Sequence, residues 1–213
     1  MENKKPSLDE LAVKYGSDKG SHWHNYCVHY QEILPKTCRS LLEIGIAKGA
    51  SALMWSEYYG ENLDLHYIDL FIDADHVTPR WCRNRGIVPH IGKQQDISLL
   101  ATIQEQFEVC LDDGSHRPAH VLASFKHLFV NNTASNGIYI IEDTHTSKPE
   151  ESFYWGEGVE AYVDTPLWMF NHYIETEKIR NKFFSEGESE MFQNLIKKVE
   201  ILADEKLIVI WKK

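Results

Sequence analysis

The sequence has few features of a secreted, membrane-spanning or nucleic-acid-binding protein. Its four cysteines include no Cys-x-x-Cys pair, which argues against a thiolate zinc site and fits a reducing compartment. It has no uncharged apolar run of about 18 residues, so we expect no membrane span and a cytoplasmic location. Basic residues are few, with 22 Lys and Arg against 32 Asp and Glu, giving a formal net charge of -10. Nucleic acid is therefore not an expected partner, because nonspecific phosphate binding requires clustered Lys and Arg.

The overall composition of the chain is typical of one globular domain. The chain has 213 residues, of which 43% are hydrophobic and 25% charged, and it shows no low-complexity tract or repeat. We expect a single domain over 1–213. Its expected parts are an N-terminal helical cap (1–38), a cofactor-binding core (39–143), an acceptor-side loop and helix (144–198) and a C-terminal hairpin (199–213).

Short apolar runs alternate with helical stretches up to residue 143. The runs are rich in Ile, Val, Leu and aromatic residues, as expected of strands covered on both faces. They are SLLEIGIA (40–47), LHYIDLF (65–71), VPHIG (88–92), FEVCLDD (107–113) and GIYIIED (137–143). Helices are predicted from Leu8 to near Gly16, from about His22 to Leu34, and within GASALMWSEYY, ISLLATIQEQ and PAHVLASFKHLFV. This alternation predicts an α/β, doubly wound, mainly parallel sheet.

The last third of the chain breaks this rhythm. Residues 144–165 show no clear period and are predicted to form a long loop at the active-site edge. Thr165 and Pro166 form an N-cap and first-turn pair for a helix from about Leu167 to Phe184. The terminal VEILADEKLIVIWKK predicts a β-hairpin, which completes a seven-stranded Rossmann-like sheet with an antiparallel end.

The turn after the first strand and the end of the second predict a nucleotide-type cofactor site. LLEIGIAKGAS places Glu43, Gly45 and Gly49 before a helix, where glycine lets the backbone approach a ligand. The segment lacks G-x-G-x-x-G, and a tight turn made for packing explains it equally well. Asp69 ends the second strand, where an acid in this fold reaches ribose hydroxyls. Asp96 could contact the adenine or act only as a helix N-cap.

Carboxylates end the fourth and fifth strands. Asp113 follows one strand, and Glu142 with Asp143 follows the next, so they should converge at the carboxyl edge of the sheet. Such closely packed charges would repel one another without a cation. Hard oxygen ligands favour Mg²⁺ or a similar ion, which could lower the pKa of an acceptor hydroxyl. These three residues therefore predict a metal site.

A histidine beside this cluster is a candidate general base. His116 lies three residues beyond Asp113, and an ordinary histidine pKa of about 6.5 suits proton removal near neutral pH. The alternative is a loop or capping histidine. His120 is spaced i, i+4 from it and could form a two-histidine metal pair, although Pro118 interrupts that face.

Taken together, these stretches resemble class I S-adenosylmethionine-dependent O-methyltransferases, closest to the macrocin and mycinamicin sugar methyltransferases and the cephalosporin hydroxylase-like group. DDGSH and IIED are the specific part. The resemblance covers residues 15–143 and is carried by YGSDKGSHWHNY, LLEIGIAKGASALMW, YIDLF, QQD, CLDDGSHRPAH and YIIED. One departure is Lys48 in GIAKG, where the family commonly has further glycine.

The resemblance implies a role for each matched residue. His116 would be the catalytic base, and the metal ligands would be Asp113, Glu142 and Asp143. A flap closing over the methionine end of the cofactor would contain Ser17 and Tyr26. The remaining cofactor contacts would be Glu43, Gly45, Gly49, Asp69, Gln95 and Asp96, with Asp112 reaching either the cofactor or the backbone.

The expected activity is metal-dependent methyl transfer from S-adenosylmethionine to a hydroxyl of a small molecule, most plausibly a sugar or glycoconjugate. Tyr154, Trp155 and Trp168 could line the acceptor pocket or serve only as packing. Relatives of this type are often multimers, so the resemblance allows a homo-oligomer, although the sequence itself does not determine the oligomeric state. The alternatives are an oxidoreductase or hydroxylase on the same fold, and a noncatalytic nucleotide-binding protein.

Overall fold

The computed structural model describes residues 5–70 and 77–213. The strands are β1 (Ser40–Ile44), β2 (Asp64–Asp69), β3 (Ile87–Ile91), β4 (Phe107–Asp112), β5 (Thr133–Ile141), β6 (Ile196–Leu202) and β7 (Leu207–Lys212). The helices are α1 (Leu8–Tyr15), α2 (Tyr26–Ile33), α3 (Ala50–Tyr59), α4 (Pro79–Arg83), α5 (Ile97–Leu100), α6 (Pro118–Asn131), α7 (Pro166–Thr176) and α8 (Glu186–Leu195). None of the described helices combines the length and apolarity needed to cross a membrane.

The strands form one seven-stranded sheet in the order β3-β2-β1-β4-β5-β7-β6. Strands β1 to β5 pair in parallel, whereas β7 runs antiparallel to both β5 and β6. The predicted α/β, mainly parallel sheet with a C-terminal antiparallel hairpin is thus confirmed. The predicted strand residue Phe71 lies outside the described residues.

Successive residues of the central strands enter two different cores, as their unbroken apolar runs require. Leu41 and Val109 belong to the core that includes Trp55 of α3, on one face of the sheet. Leu42 and Cys110 belong to the core on the other face, where α6 and α7 contribute a cluster of phenylalanines. Helices therefore cover both faces, and ligands can reach the sheet at its strand ends.

Several predicted helix boundaries were wrong. Helix α2 begins at Tyr26, because Asn25 adopts a left-handed conformation with φ 58°. Helix α5 spans four residues, fewer than the predicted stretch. Helix α7 ends at Thr176, well before Phe184, because the next residue is also left-handed.

Two further helices follow from capping signals that the sequence analysis did not use. Helix α8 begins after Ser185, whose side chain forms a capping box with Glu188. Helix α4 begins after Thr78, with Pro79 in its first turn. The expected 144–165 loop is present, and it contains three short 3₁₀ turns at 144–147, 149–154 and 162–164.

Candidate functional site

Backbone hydrogen bonds continue past the strand ends and fix the residues that follow β1, β4 and β5. The Asp113 amide donates to the Ile44 carbonyl over 3.0 Å, and the Glu142 amide donates to the Asp112 carbonyl over 2.9 Å. The Gly45 amide donates to the Ile68 carbonyl in the same way, over 2.9 Å. The predicted site residues are therefore held at one edge of the sheet, where ligands bind in open α/β sheets.

A pocket of about 350 Å³ opens at this edge. Of the predicted cofactor residues, Gly45, Asp69 and Gln95 line it. The other lining residues are Ile44, Ile68, Leu70, Gly92, Lys93, Gln94, Gly114, Ser115, His120 and Glu157. Asp69 also accepts a hydrogen bond from the Ile46 amide over 2.8 Å, which fixes the carboxylate at the pocket wall.

Gly45 makes the closest backbone approach in the site. Its φ is 89°, and a Cβ built on it would lie 2.1 Å from the Asp113 carbonyl oxygen. Gly49 is also left-handed, at φ 80°, but a Cβ there would meet the Trp81 ring at 2.8 Å. The absence of a side chain at Gly45 thus lets the backbone approach the end of β4 beside the pocket. At Gly49 it leaves room for the Trp81 ring of α4.

Two other predicted cofactor residues, Asp96 and Asp112, do not line the pocket and have structural hydrogen-bond partners. Asp96 caps α5, accepting hydrogen bonds from the Ser98 and Leu99 amides. Asp112 is buried below the pocket and accepts hydrogen bonds from Gln94 and Ser124. Burial raises the pKa of Asp112 to about 6.

Gln94 is a pocket residue that the sequence analysis missed. Its amide nitrogen donates to Asp112 over 3.0 Å, and its amide oxygen accepts from the Ser115 amide over 2.7 Å. It therefore joins the pocket floor to the loop after β4. Its place beside Gln95 in QQD was an available signal.

Glu43, another predicted cofactor residue, is not among the residues that line the pocket. Its side chain is fully buried and accepts hydrogen bonds from Trp55 Nε1 over 2.9 Å and from the Tyr67 hydroxyl. Its other oxygen, Oε1, is buried without a hydrogen-bond partner and lies 3.3 Å from the Lys19 ammonium. This arrangement orients Glu43 toward a buried charge cluster.

Lys19 is the centre of that cluster, and the sequence analysis did not anticipate it. Its side chain is fully buried, and its Nζ contacts Asp113 and lies 2.8 Å from Glu142 Oε1. Burial lowers the pKa of Lys19, but attraction to Asp113, Glu142 and Glu43 outweighs it and raises the pKa above its usual value. Lys19 is therefore a buried ammonium cation.

Two tyrosines of α2 reach the same acidic residues. The Tyr26 hydroxyl donates to Asp143 Oδ1 over 2.6 Å, and the Tyr30 hydroxyl donates to Glu142. Burial and the neighbouring Asp143 raise the pKa of Tyr26, so its hydroxyl stays protonated as a donor.

Ser17, the other predicted flap residue, is buried, and its hydroxyl accepts a hydrogen bond from the Lys19 backbone amide over 3.5 Å. Both predicted flap residues thus contact the charge cluster.

The predicted metal ligands fall into two groups that share Asp113. Asp113, His116 and Asp143 form a partly exposed group, whereas Glu43, Asp113 and Glu142 form a largely buried group around Lys19. In each group the candidate ligand atoms lie within 4.8 Å of one another. The structure therefore brings Asp113 together with both Asp143 and Glu142, and Lys19 contacts Asp113 and Glu142.

The partly exposed group fits a hard divalent cation and a base. His116 Nε2 lies 3.6 Å from Asp143 Oδ2 and 3.9 Å from Asp113 Oδ1. Two carboxylates supply the oxygen ligands that Mg²⁺ prefers. His116 and Asp143 are both left-handed, with φ of 56° and 54°, which is uncommon outside glycine and concentrates at functional sites.

His120 does not form a metal pair with His116. Its Nδ1 lies 2.8 Å from the Ser115 hydroxyl. Its Nε2 lies 3.0 Å from the side-chain nitrogen Nε2 of Gln95 and 2.8 Å from Glu157 Oε1. Both ring nitrogens are thus engaged at the pocket wall. His120 belongs to the cofactor side of the site.

The three aromatic residues considered for an acceptor pocket differ in their contacts. Trp155 donates to the Thr146 carbonyl over 3.3 Å, and the Thr146 hydroxyl donates to the His116 carbonyl over 2.9 Å. Trp155 is therefore linked to the loop that carries the candidate base. Trp168 stacks on His172 within α7, and Tyr154 packs against its neighbour Phe153.

The known proteins that are similar to this chain in sequence include several O-methyltransferases. No family model matches the chain. The L-olivosyl-oleandolide 3-O-methyltransferase of Streptomyces antibioticus is 36% identical over 159 residues, which are 68% of this chain and 39% of that protein. The mycinamicin VI 2''-O-methyltransferase of Micromonospora griseorubida is 32% identical over 174 residues, 75% of this chain and 40% of that protein. The chain thus spans about two fifths of the length of these curated relatives.

Solved structures agree on the fold. The MycE methyltransferase of the mycinamicin biosynthetic pathway, in complex with Mg and SAH, superposes with a TM-score of 0.77 at 22% identity, covering 98% of this chain and 55% of that one. The SAH-bound methyltransferase PaMTH1 of Podospora anserina gives 0.54 at 16% identity, over 98% of this chain and 88% of that one. By its relatives and its fold, the chain belongs to the class I S-adenosylmethionine-dependent O-methyltransferases of the macrocin and mycinamicin type.

Proposed function

We propose that the protein transfers a methyl group from S-adenosylmethionine to a hydroxyl of a sugar-bearing small molecule, with the help of Mg²⁺ or a similar divalent ion. The contact between Gly45 and Asp113 carries this proposal. Gly45 lines the pocket, and the carbonyl of Asp113 lies where a Cβ of Gly45 would be. The Asp113 side chain meanwhile belongs to the acidic group with His116. A cofactor in the pocket and an acceptor at the acidic group would therefore be neighbours.

The pocket residues suit the adenosine part of the cofactor. Asp69 ends β2 at the pocket wall, the position from which an acid reaches ribose hydroxyls in this fold. Gln95 offers a side-chain amide on the pocket lining, where Gln94 and Ser115 also lie. The methionine end would then point along the loop after β4, toward the acidic group.

Asp113, Glu142 and Asp143 would hold the divalent ion, which when bound lowers the pKa of an acceptor hydroxyl and orients it. Tyr26 holds Asp143 in place through its hydroxyl. His116 would take the acceptor proton on Nε2, which faces both carboxylates. Trp155 and Thr146 position the backbone of His116 from the acceptor-side loop.

The names of the relatives support a sugar-bearing acceptor. L-olivosyl-oleandolide and mycinamicin VI, which appear in the relatives' names, are sugar-bearing macrolides. A sugar hydroxyl is a poor acceptor without activation, because its pKa lies far above 7, and a carboxylate-bound cation with a nearby base supplies that activation. The acidic group and His116 therefore suit a sugar hydroxyl better than an amine.

Calorimetric titration tests the cofactor half. We expect heat with S-adenosylmethionine and no heat with NAD, in the presence of Mg²⁺. No heat with S-adenosylmethionine, or comparable binding of NAD, would contradict the proposal and favour an oxidoreductase.

Incubation with a labelled methyl donor tests the rest of the proposal, which concerns the acceptor and the divalent ion. Glycosides with free hydroxyls should gain label only with a divalent ion, and EDTA should abolish transfer. Label on the matched aglycones without sugars would contradict a sugar acceptor. Binding of the donor with no transfer to any hydroxyl would favour a noncatalytic protein.

A further inference from the structure

We propose that Glu157, in the loop at 144–165, recognises the base of the cofactor by accepting a hydrogen bond from the 6-amino group of adenine. The inference rests on the proposed function in taking S-adenosylmethionine as the ligand of the pocket. Glu157 lines that pocket together with His120 and Gln95, although it follows His120 by 37 residues in the sequence. The loop on the acceptor side thus supplies part of the cofactor pocket.

Two hydrogen bonds fix the segment that carries Glu157. The indole nitrogen of Trp155 donates to the Thr146 carbonyl over 3.3 Å, which ties this segment to the start of the loop. The Val159 amide donates to the Gly156 carbonyl over 3.0 Å and closes a tight turn around Glu157. Within this turn Glu157 has a φ of 51°, a left-handed conformation that is uncommon outside glycine and concentrates at functional sites. The backbone therefore holds Glu157 beside the pocket.

His120 orients the Glu157 carboxylate and leaves one of its oxygens available. His120 Nε2 lies 2.8 Å from Glu157 Oε1, and its Nδ1 lies 2.8 Å from the Ser115 hydroxyl. The hydrogen bond with His120 lowers the pKa of Glu157, so the carboxylate is ionised and His120 Nε2 carries the donated proton. Among the residues that the structure describes, none donates a hydrogen bond to the second oxygen, Oε2.

Gln95 supplies a donor beside this acceptor. Its side-chain nitrogen lies 3.0 Å from His120 Nε2, but a ring nitrogen that carries a proton cannot accept a hydrogen bond from it. The amide hydrogens of Gln95 are therefore available to a ligand. Adenine presents a donor, its 6-amino group, next to an acceptor, N1, on one edge of the base. The carboxylate of Glu157 and the amide of Gln95 are complementary to that edge.

The order of groups along the cofactor places adenine at this pair. The methyl group must reach the acidic group, to which Asp113 connects the pocket through its contact with Gly45. Asp69 takes the ribose in the proposed function, so the base lies beyond the ribose and away from the methyl group. Besides Asp69, Glu157 is the one carboxylate among the described residues that line the pocket. It is therefore the charged acceptor available to an amino group there.

Two ligands that differ at position 6 of the base test this role. S-inosylhomocysteine carries an oxo group where S-adenosylhomocysteine carries the 6-amino group. By calorimetry the wild-type chain should bind S-adenosylhomocysteine at least about 10-fold more tightly, because a carboxylate accepts from the amino group and repels the oxo oxygen. In Glu157→Gln the side-chain amide can donate to the oxo group, so S-inosylhomocysteine should bind more tightly and the preference should fall below about threefold.

Two further variants complete the test. Glu150→Gln is the matched control, since Glu150 is an exposed glutamate of the same loop and does not line the pocket. It should leave both affinities unchanged. Glu157→Ala removes the acceptor without supplying a donor, so it should bind the two ligands with similar affinity.

The outcomes separate this inference from the proposed function. An unchanged preference in both Glu157 variants, or an equal loss of affinity for both ligands, would overturn the role of Glu157 and leave S-adenosylmethionine as the cofactor. A wild-type chain that binds both ligands equally well would have the same meaning. A wild-type chain that binds neither ligand would overturn the inference together with the proposed function.

Discussion

The Tyr26 hydroxyl donates a hydrogen bond to Asp143 Oδ1 over 2.6 Å, joining the first residue of α2 to the residue that follows β5 by two positions. We expect Tyr26→Phe to weaken Mn²⁺ binding and methyl transfer about 10-fold, since a hydrogen bond to a charged group is worth roughly 1.5–3 kcal/mol. Affinity for S-adenosylmethionine should not change, because Tyr26 does not line the pocket. Calorimetry with each ligand measures both. A selective loss of cofactor affinity would instead support the flap role expected from the sequence.

Asp69 should determine the affinity for the cofactor without affecting the binding of the divalent cation. Asp69→Ala removes the carboxylate at the pocket wall, and we expect about 100-fold weaker binding of S-adenosylmethionine, since losing a hydrogen bond to a charged group costs up to about 3 kcal/mol. Mn²⁺ binding should be unchanged. Asp96→Ala is the control, since Asp96 caps α5; it should cost about 1 kcal/mol of stability and leave cofactor affinity within twofold. Equal effects of the two substitutions would argue against Asp69 as the ribose ligand.

Gly45 should not tolerate alanine, although Gly16 should. Both residues have a positive φ, 89° for Gly45 and 71° for Gly16, so alanine at either position carries a backbone cost of about 1–2 kcal/mol. Gly16 has open space around it, whereas a Cβ at Gly45 meets the Asp113 carbonyl at 2.1 Å. Chemical denaturation should show a larger loss for Gly45→Ala, accompanied by lost cofactor binding. Similar losses at both positions would mean that the strand-end turn can shift.

His116→Ala should lower the methyl transfer rate by about 10²- to 10⁴-fold if His116 is the general base. Cofactor affinity should be retained, because His116 lies beside the pocket without lining it. Added imidazole should restore part of the rate, which a purely structural defect would not allow. A rate loss below tenfold at neutral pH would exclude His116 as the base.

His90 should make stability depend on pH. Burial, and then the neighbouring His66, lower the pKa of His90, so the folded chain resists protonation. The unfolded histidine takes up a proton near pH 6.5, so stability should be full above that value and fall as the pH decreases below it. Urea denaturation between pH 8 and pH 5 should show a shallower decrease for His90→Gln. Parallel curves for the two proteins would contradict this.

The fold could be predicted from the sequence because its central strands are covered on both faces. Runs such as LLEI and VCLD have no polar alternation and are bounded by turns, which leaves few alternatives to a parallel sheet. The extent of α7 could not be predicted in the same way. Its apolar pattern continues toward Phe184, but Glu177 adopts a left-handed conformation that ends the helix, and local propensity does not determine such a conformation.

The candidate site was predictable only in part. Asp113, Asp143 and His116 follow strands, so their convergence follows from topology. Lys19 lies 94 residues from Asp113 and 123 from Glu142 along the chain, and its sequence neighbours are polar. Nothing in such a local pattern distinguishes a solvated lysine from a buried ammonium, so the division of the acidic residues into two groups required the structure.

Asp113 touches both halves of the site: its carbonyl packs on Gly45, which lines the pocket, and its side chain belongs to both acidic groups. A ligand at one of these two places that moves the turn at residues 112–114 would therefore change the free energy of binding at the other. Linkage requires this effect to be mutual: whatever factor the cation adds to cofactor affinity, the cofactor adds to cation affinity. The order in which the two ligands bind would then be immaterial at equilibrium.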